Sequence, residues 1–139
     1  MIKGKDLLII DDEEFFFQPI LERLDSEKLS YDYCKTGLDG LERLAKTDYH
    51  AVILDIRLPL GDKLDHVSGY EEKGGLYILE EIRKKKPGLP VICYTVYKDR
   101  EVVEKINQAG AIHIEKGGDL GMLIETIKSK IGHLKGGDR

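Results

Sequence analysis

Five polar side chains each follow a short apolar run and could act together: Asp11 and Asp12 after 7–10, Asp55 after 51–54, Thr95 after 91–94, and Lys116 after 111–114 and Glu115. Singly, each has an ordinary explanation. An aspartate after a strand often caps the next helix, and a lone lysine is usually solvated. Those explanations do not require all five groups to share one edge of a fold. Carboxylates gathered in one cleft repel, by about 4 kcal/mol per pair at ~4 Å and an effective dielectric of ~20, so a cation belongs among them. Hard carboxylate oxygens, with positions left for water and phosphate oxygens, suit Mg²⁺; no His or Cys cluster offers a zinc geometry.

The elements that must position these groups are legible in the hydropathy pattern. The runs 7–10, 51–54, 91–94 and 111–114 are strand-sized and continuously apolar, as strands buried on both faces require. A weaker fifth run is 31–34. Between them, apolar residues three and four apart predict helices over 17–24, 38–45, 76–84, 99–109 and 120–131. Such alternation implies a parallel sheet with helices on both faces, because parallel neighbours need crossover connections. In that arrangement the carboxyl ends of the strands share one edge, where ligands of open α/β folds bind. Gly110 reads as a left-handed helix cap, and Pro87 with Gly88 as a helix stop. Pro19 either begins the first helix or sits inside it and kinks it.

The chain has 139 residues, enough for one domain, with 41% hydrophobic and 35% charged residues. We expect that domain over 1–132, followed by a flexible tail over 133–139 that holds two of the chain's last glycines, Gly136 and Gly137. No apolar run is long enough to span a bilayer, and the first residues lack a signal peptide's layout, so no membrane association and a cytoplasmic location are expected. Cys34 and Cys93 lie in apolar stretches and read as core residues. A net charge of −4 argues against direct nucleic-acid binding.

The segments Leu8-Ile9-Ile10-Asp11-Asp12-Glu13 and Val52-Ile53-Leu54-Asp55-Ile56-Arg57-Leu58-Pro59, with Thr95 and Ala109-Gly110-Ala111 leading to Lys116, resemble the receiver domain of two-component response regulators. The resemblance covers nearly the whole chain in the correct order. It implies a doubly wound (βα)5 flavodoxin-like α/β fold, a five-stranded parallel sheet of order 2-1-3-4-5. By similarity, Asp55 is the phosphoacceptor. Asp12 and Asp55 would hold Mg²⁺ directly, Asp11 through water, and the backbone carbonyl of Arg57 would add a ligand. Lys116 and Thr95 would contact the phosphoryl group, Thr95 drawing its loop inward as a switch. The implied partners are a sensor histidine kinase or histidine phosphotransfer protein and a downstream partner protein. The expected contact face comprises 99–107, Ile112, Ile114 and 122–130. The chemistry would be limited to self-phosphorylation and autodephosphorylation, without turnover of an external substrate.

Several positions depart from the family pattern. His113 stands where an aromatic switch residue is usual, and an imidazole can titrate. Val96 replaces the usual small residue after the threonine and would narrow access. Arg57 and Tyr97 occupy positions that tune the lifetime of the phosphoryl group. Gly117 follows Lys116 in place of the common proline, so no cis bond is expected there. The connection after Pro59 carries an insertion at about 60–74, either a tolerated excursion or a docking element; Asp62, Asp65 and His66 within it are weak metal-ligand candidates.

The alternative reading is a pseudo-receiver, a protein-interaction module with altered or no phosphorylation. An aspartyl-phosphate hydrolase would usually carry an acid two residues after the nucleophile, where this chain has Arg57. A flavodoxin-like cofactor binder would need a glycine-rich phosphate loop after the first strand, where Asp11 and Asp12 would repel phosphate.

Overall fold

The computed structural model describes residues 2–60, 70 and 72–136. In chain order the elements are β1 (Ile2–Lys3), β2 (Leu7–Ile10), α1 (Glu14–Ser26), β3 (Tyr31–Cys34), α2 (Gly37–Lys46), β4 (Thr47–Asp48), β5 (Ala51–Leu54), α3 (Gly74–Lys85), β6 (Val91–Thr95), α4 (Arg100–Gln108), β7 (Ile112–Glu115) and α5 (Leu120–Gly136). The main sheet is parallel, in the order β3-β2-β5-β6-β7. Counting only its five strands, this is the expected 2-1-3-4-5. A two-residue pairing of β1 with β4 forms a separate small sheet that was not anticipated.

Successive side chains of a strand point to opposite faces, and here both faces are covered. Leu7 and Ile9 join Phe17, Leu24, Ile124 and Ile127, the buried stripes of α1 and α5. Leu8 and Ile10 join Leu44, Ile78, Ile82, Val102 and Ile106 from α2, α3 and α4. All four β2 side chains are fully buried, which is why the strand cannot alternate polar and apolar residues. Burying each such side chain stabilises the fold by roughly 1.5–3 kcal/mol. Cys34 and Cys93 are free and buried in the second of these cores. Burial pushes their thiols up to about 11 and about 12, respectively, as expected of core residues.

Local signals fix the helix ends. The Thr36 hydroxyl caps α2 by accepting from Asp39 N at 3.2 Å. Gly110 takes φ +68° after α4, and the Ala111 N–H reaches back to the Ile106 carbonyl at 3.1 Å. Arg83 then binds the two ends of this region together. Its guanidinium donates to the carbonyls of Ala109, Gly110, Lys86 and Leu89, joining the C-terminus of α3 to the strand entries of β6 and β7.

The boundaries differ from the sequence reading at the start of α1 and the end of α5. The helix α1 begins at Glu14, so Pro19 lies inside it rather than at its first position. The cost is one missing N–H, which leaves the Phe15 carbonyl without that donor. The helix α5 continues past Ile131 and Gly132 to Gly136, so the expected tail begins inside a helix. The candidate ligands Asp62, Asp65 and His66 lie outside the described residues. Among the described residues every peptide bond is trans, and no helix is long and apolar enough to cross a membrane.

Candidate functional site

Parallel pairing delivers the acidic residues to one edge. Ile10 pairs with Leu54, so Asp11 and Asp55 each follow by one residue. The Asp55 N–H donates to the Ile10 carbonyl at 3.0 Å, and the Asp11 N–H to that of Cys34 at 3.0 Å. Asp55 is also pressed from beneath by α3. Gly75 donates to the Ile56 carbonyl at 2.9 Å, and a Cβ there would collide with the Asp55 carbonyl oxygen and lie 2.5 Å from Ile56 Cα. Glycine lets the helix start touch the strand end directly.

Ligand atoms of Asp11, Asp12, Glu13 and Asp55 lie within 4.8 Å of one another. The Lys116 ammonium reaches three of them: Asp11 Oδ2 at 2.8 Å, Glu13 Oε1 at 2.9 Å and Asp55 Oδ2 at 3.2 Å. The side chains of Asp11, Asp55 and Lys116 are almost completely buried, whereas Asp12 and Glu13 are exposed. The rings of Phe16 and Phe17 pack under the ammonium, with centroids 5.2 and 6.0 Å away.

The electrostatics record crowding. Burial, with repulsion from Asp11, raises the Asp55 carboxyl to about 6, although Lys116 and the Arg57 N–H pull the other way. Burial likewise raises Asp11, against the pull of Lys116. Lys116 would be lowered by burial, but the carboxylates around it outweigh that and raise it. Asp11 Oδ2 is buried and faces the Lys116 ammonium in an ion pair at 2.8 Å. Several carboxylate oxygens gathered at one edge of the sheet fit a hard divalent cation of the Mg²⁺ type. The acidic cluster of Asp11, Asp12, Glu13 and Asp55 could therefore hold a metal.

The remaining expected residues surround this cluster. Thr95 is fully buried at the end of β6; its hydroxyl accepts from the Tyr97 N–H at 3.3 Å and its carbonyl accepts from Lys116 N at 2.8 Å. An open cleft of about 340 Å³ is lined by Asp12, Glu13, Arg57 and Val96, with Val96 half exposed. The Arg57 N–H donates to Asp55 Oδ1 at 3.2 Å. Tyr97 directs its hydroxyl to the Glu72 carbonyl at 2.9 Å and lies under the Lys73 ammonium. His113 is held by its Nε2 at 2.8 Å from the Tyr97 carbonyl. Of the expected contact face, Ile114 is buried in the core and so is not available to a partner, whereas Met122 is exposed.

Two contributions escaped the sequence reading. Glu13 closes the ring of acids around Lys116, and Phe16 with Phe17 support the ammonium from α1. The available signal was position alone: Glu13 follows directly after the acidic pair, and Phe16 and Phe17 come a helical turn later.

The fold and this arrangement of acids, threonine and lysine define a receiver module. Residues 7–128 match the response regulator receiver domain, and the chain belongs to that family. It is a receiver domain of the two-component response regulators. It is 30% identical over 95 residues to the transcriptional regulatory protein GlrR of Escherichia coli, covering 68% of this chain and 19% of that protein. It is 27% identical to the chemotaxis protein CheY of Halobacterium salinarum over 78% of this chain and 80% of that one. The chain thus spans about a fifth of the length of GlrR. Among solved structures, the CheY-like receiver domain protein of Methanospirillum hungatei superposes with a TM-score of 0.77 at 24% identity, covering 97% of each chain. The Thermotoga maritima response regulator TrrA, solved in complex with Mg(2+)-BeF, gives a TM-score of 0.71 at 27% identity over 94% of this chain and 99% of that one.

Proposed function

We propose that the protein accepts a phosphoryl group on Asp55 from a histidine kinase or phosphotransfer protein and thereby switches its affinity for a downstream partner. The observation that carries this reading is the meeting of Asp11, Asp12, Glu13 and Asp55 within 4.8 Å, with the buried Lys116 ammonium on Asp55. A carboxylate oxygen of Asp55 attacks phosphorus, the phosphorus–nitrogen bond of the phosphohistidine breaks, and its electron pair returns to the departing imidazole. Asp11, Asp12, Asp55 and the Arg57 carbonyl would hold Mg²⁺, which when bound neutralises charge on the transferring oxygens. Lys116 supplies a fixed positive charge on the same carboxylate. Arg57 and Val96 frame the entrance and limit the approach of water to the phosphoryl group.

Thr95 is the sensor in this reading. Its hydroxyl accepts from the Tyr97 N–H, so its own proton is free to be donated to a phosphoryl oxygen, drawing the loop that holds Tyr97. The chain turns over no external substrate, since position 57 is an arginine rather than an acid. The likeness to TrrA, which was captured with Mg(2+)-BeF, supports the metal-dependent acceptor role. The test is incubation with acetyl phosphate and Mg²⁺ followed by mass spectrometry. An acid-stable, base-labile adduct on Asp55, absent in Asp55→Asn and after EDTA, is the expected result. Its absence from the wild type would favour a pseudo-receiver.

A further inference from the structure

Three carboxylates engage the Lys116 ammonium before any phosphoryl group arrives, Glu13 and Asp55 by hydrogen bonds and Asp11 by an ion pair. The ammonium carries three donors and no acceptor, and the three carboxylates stand at 2.8, 2.9 and 3.2 Å. Two of them, Asp11 and Asp55, have side chains only 1% exposed, whereas that of Glu13 is 52% exposed. The Phe16 and Phe17 rings also face the ammonium, so its freedom lies in exchanging one carboxylate oxygen for another acceptor.

We propose that Glu13 is a positioning residue that restrains Lys116 in the resting protein and competes with the phosphoryl group for it. This rests on Asp55 being the phosphoacceptor. A phosphoryl group on Asp55 brings three strong acceptor oxygens, and Lys116 must release an existing partner to meet one. Releasing Asp11 or Asp55 would strand a buried carboxylate, which is costly; releasing Glu13 returns an exposed carboxylate to water, which costs little. Glu13 is therefore the contact that opens. Its backbone N–H stays anchored to Asp11 Oδ1 at 2.8 Å, so the side chain can swing away without moving the start of α1. Glu13 thereby sets how readily the resting site yields its lysine.

The experiment uses Mg²⁺ alone and trifluoroberyllate at saturating Mg²⁺ as probes, on wild type, Glu13→Gln and Glu14→Gln. Glu14 is the adjacent acid and pairs with Lys35 instead, so it reports any general effect of removing a nearby charge. We expect Glu13→Gln to bind trifluoroberyllate about three- to fivefold more tightly, the scale of a partly exposed ion pair, and Mg²⁺ alone no more tightly. Glu14→Gln should match the wild type. In the metal-free protein, the Lys116 ammonium resonance should move in Glu13→Gln and stay in Glu14→Gln. Equal trifluoroberyllate affinity in wild type and Glu13→Gln, or the same gain in both variants, overturns the restraint by Glu13 while leaving Asp55 as acceptor. No trifluoroberyllate uptake by any of the three proteins overturns the acceptor reading itself, and the competition with it.

Discussion

His113 Nε2 lies 2.8 Å from the Tyr97 carbonyl oxygen, which ties β7 to the loop that leaves Thr95. A carbonyl only accepts, so the imidazole carries its proton on Nε2 in this contact. An aromatic ring at this position could rotate freely; this imidazole gives up a hydrogen bond when it does. The loop should accordingly be steadier at rest. In His113→Phe, amide exchange at Tyr97 and Lys98 should accelerate by about fivefold, the equivalent of one net hydrogen bond of ~1 kcal/mol. Unchanged exchange would show that the contact does not restrain the loop.

Asp55 makes the metal-free protein sensitive to pH. Its carboxyl moves from 3.8 in the unfolded chain to about 6 in the fold, chiefly through burial and then through Asp11. A raised pKa means the folded state holds the proton more tightly. The associated stability is present below 3.8 and is lost as pH rises through about 6. At ~1.4 kcal/mol per pKa unit, the loss reaches up to about 3 kcal/mol by neutral pH. Asp55→Asn cannot ionise, so in EDTA it should be more stable than wild type at pH 7.5, with the gain shrinking towards zero near pH 4. Urea denaturation at the two pH values measures it.

Tyr97 joins the loop that leaves Thr95 to the stem of the long connection after β5. Its hydroxyl donates to the Glu72 carbonyl at 2.9 Å, and the Lys73 ammonium covers its ring at 5.6 Å. Tyr97→Phe removes only the hydroxyl. Amide exchange at Lys73 and Gly74 should rise by a few-fold, with stability lowered by about 1 kcal/mol or less. If exchange rises only around Thr95, the two loops are not mechanically linked through this hydroxyl.

Gly75 couples the start of α3 to the end of β5, which carries Asp55. A methyl group there meets backbone, the Asp55 carbonyl oxygen and Ile56 Cα, neither of which can rotate aside. Gly75→Ala should lower stability by about 1–3 kcal/mol, the usual range for overpacking. It should also weaken Mg²⁺ binding, because Asp55 must shift with its strand. Gly88→Ala, where nothing lies within 4 Å of a Cβ, should leave both unchanged. Thermal denaturation and a Mg²⁺ titration of the two variants separate these outcomes.

Much of this protein is a consequence of local pattern. The residues of β2, β5 and the 91–94 run of β6 face helices on both sides, so they must be apolar throughout, and that run is visible without coordinates. Asp11, Asp55 and Thr95 stand at the ends of those runs, and parallel strands place such ends on one edge. The two-residue pairing of β1 and β4 carries no periodicity that so short a segment could express. Gly132 lowers helix propensity by about 1 kcal/mol, yet Ile127 and Ile131 anchor α5 in the core, and packing carries the helix past it.

The amino-acid sequence alone thus determined the order of the five main strands and their helices, the two-sided core and the acids Asp11, Asp12 and Asp55, because each depends on neighbours a few residues apart. Only the tertiary structure decided which groups share a charge. Glu13 and Lys116 are 103 residues apart in the chain yet 2.9 Å apart in space, and His113 meets a carbonyl on another loop. Such contacts depend on side-chain reach across a folded edge, which distance along the chain does not encode.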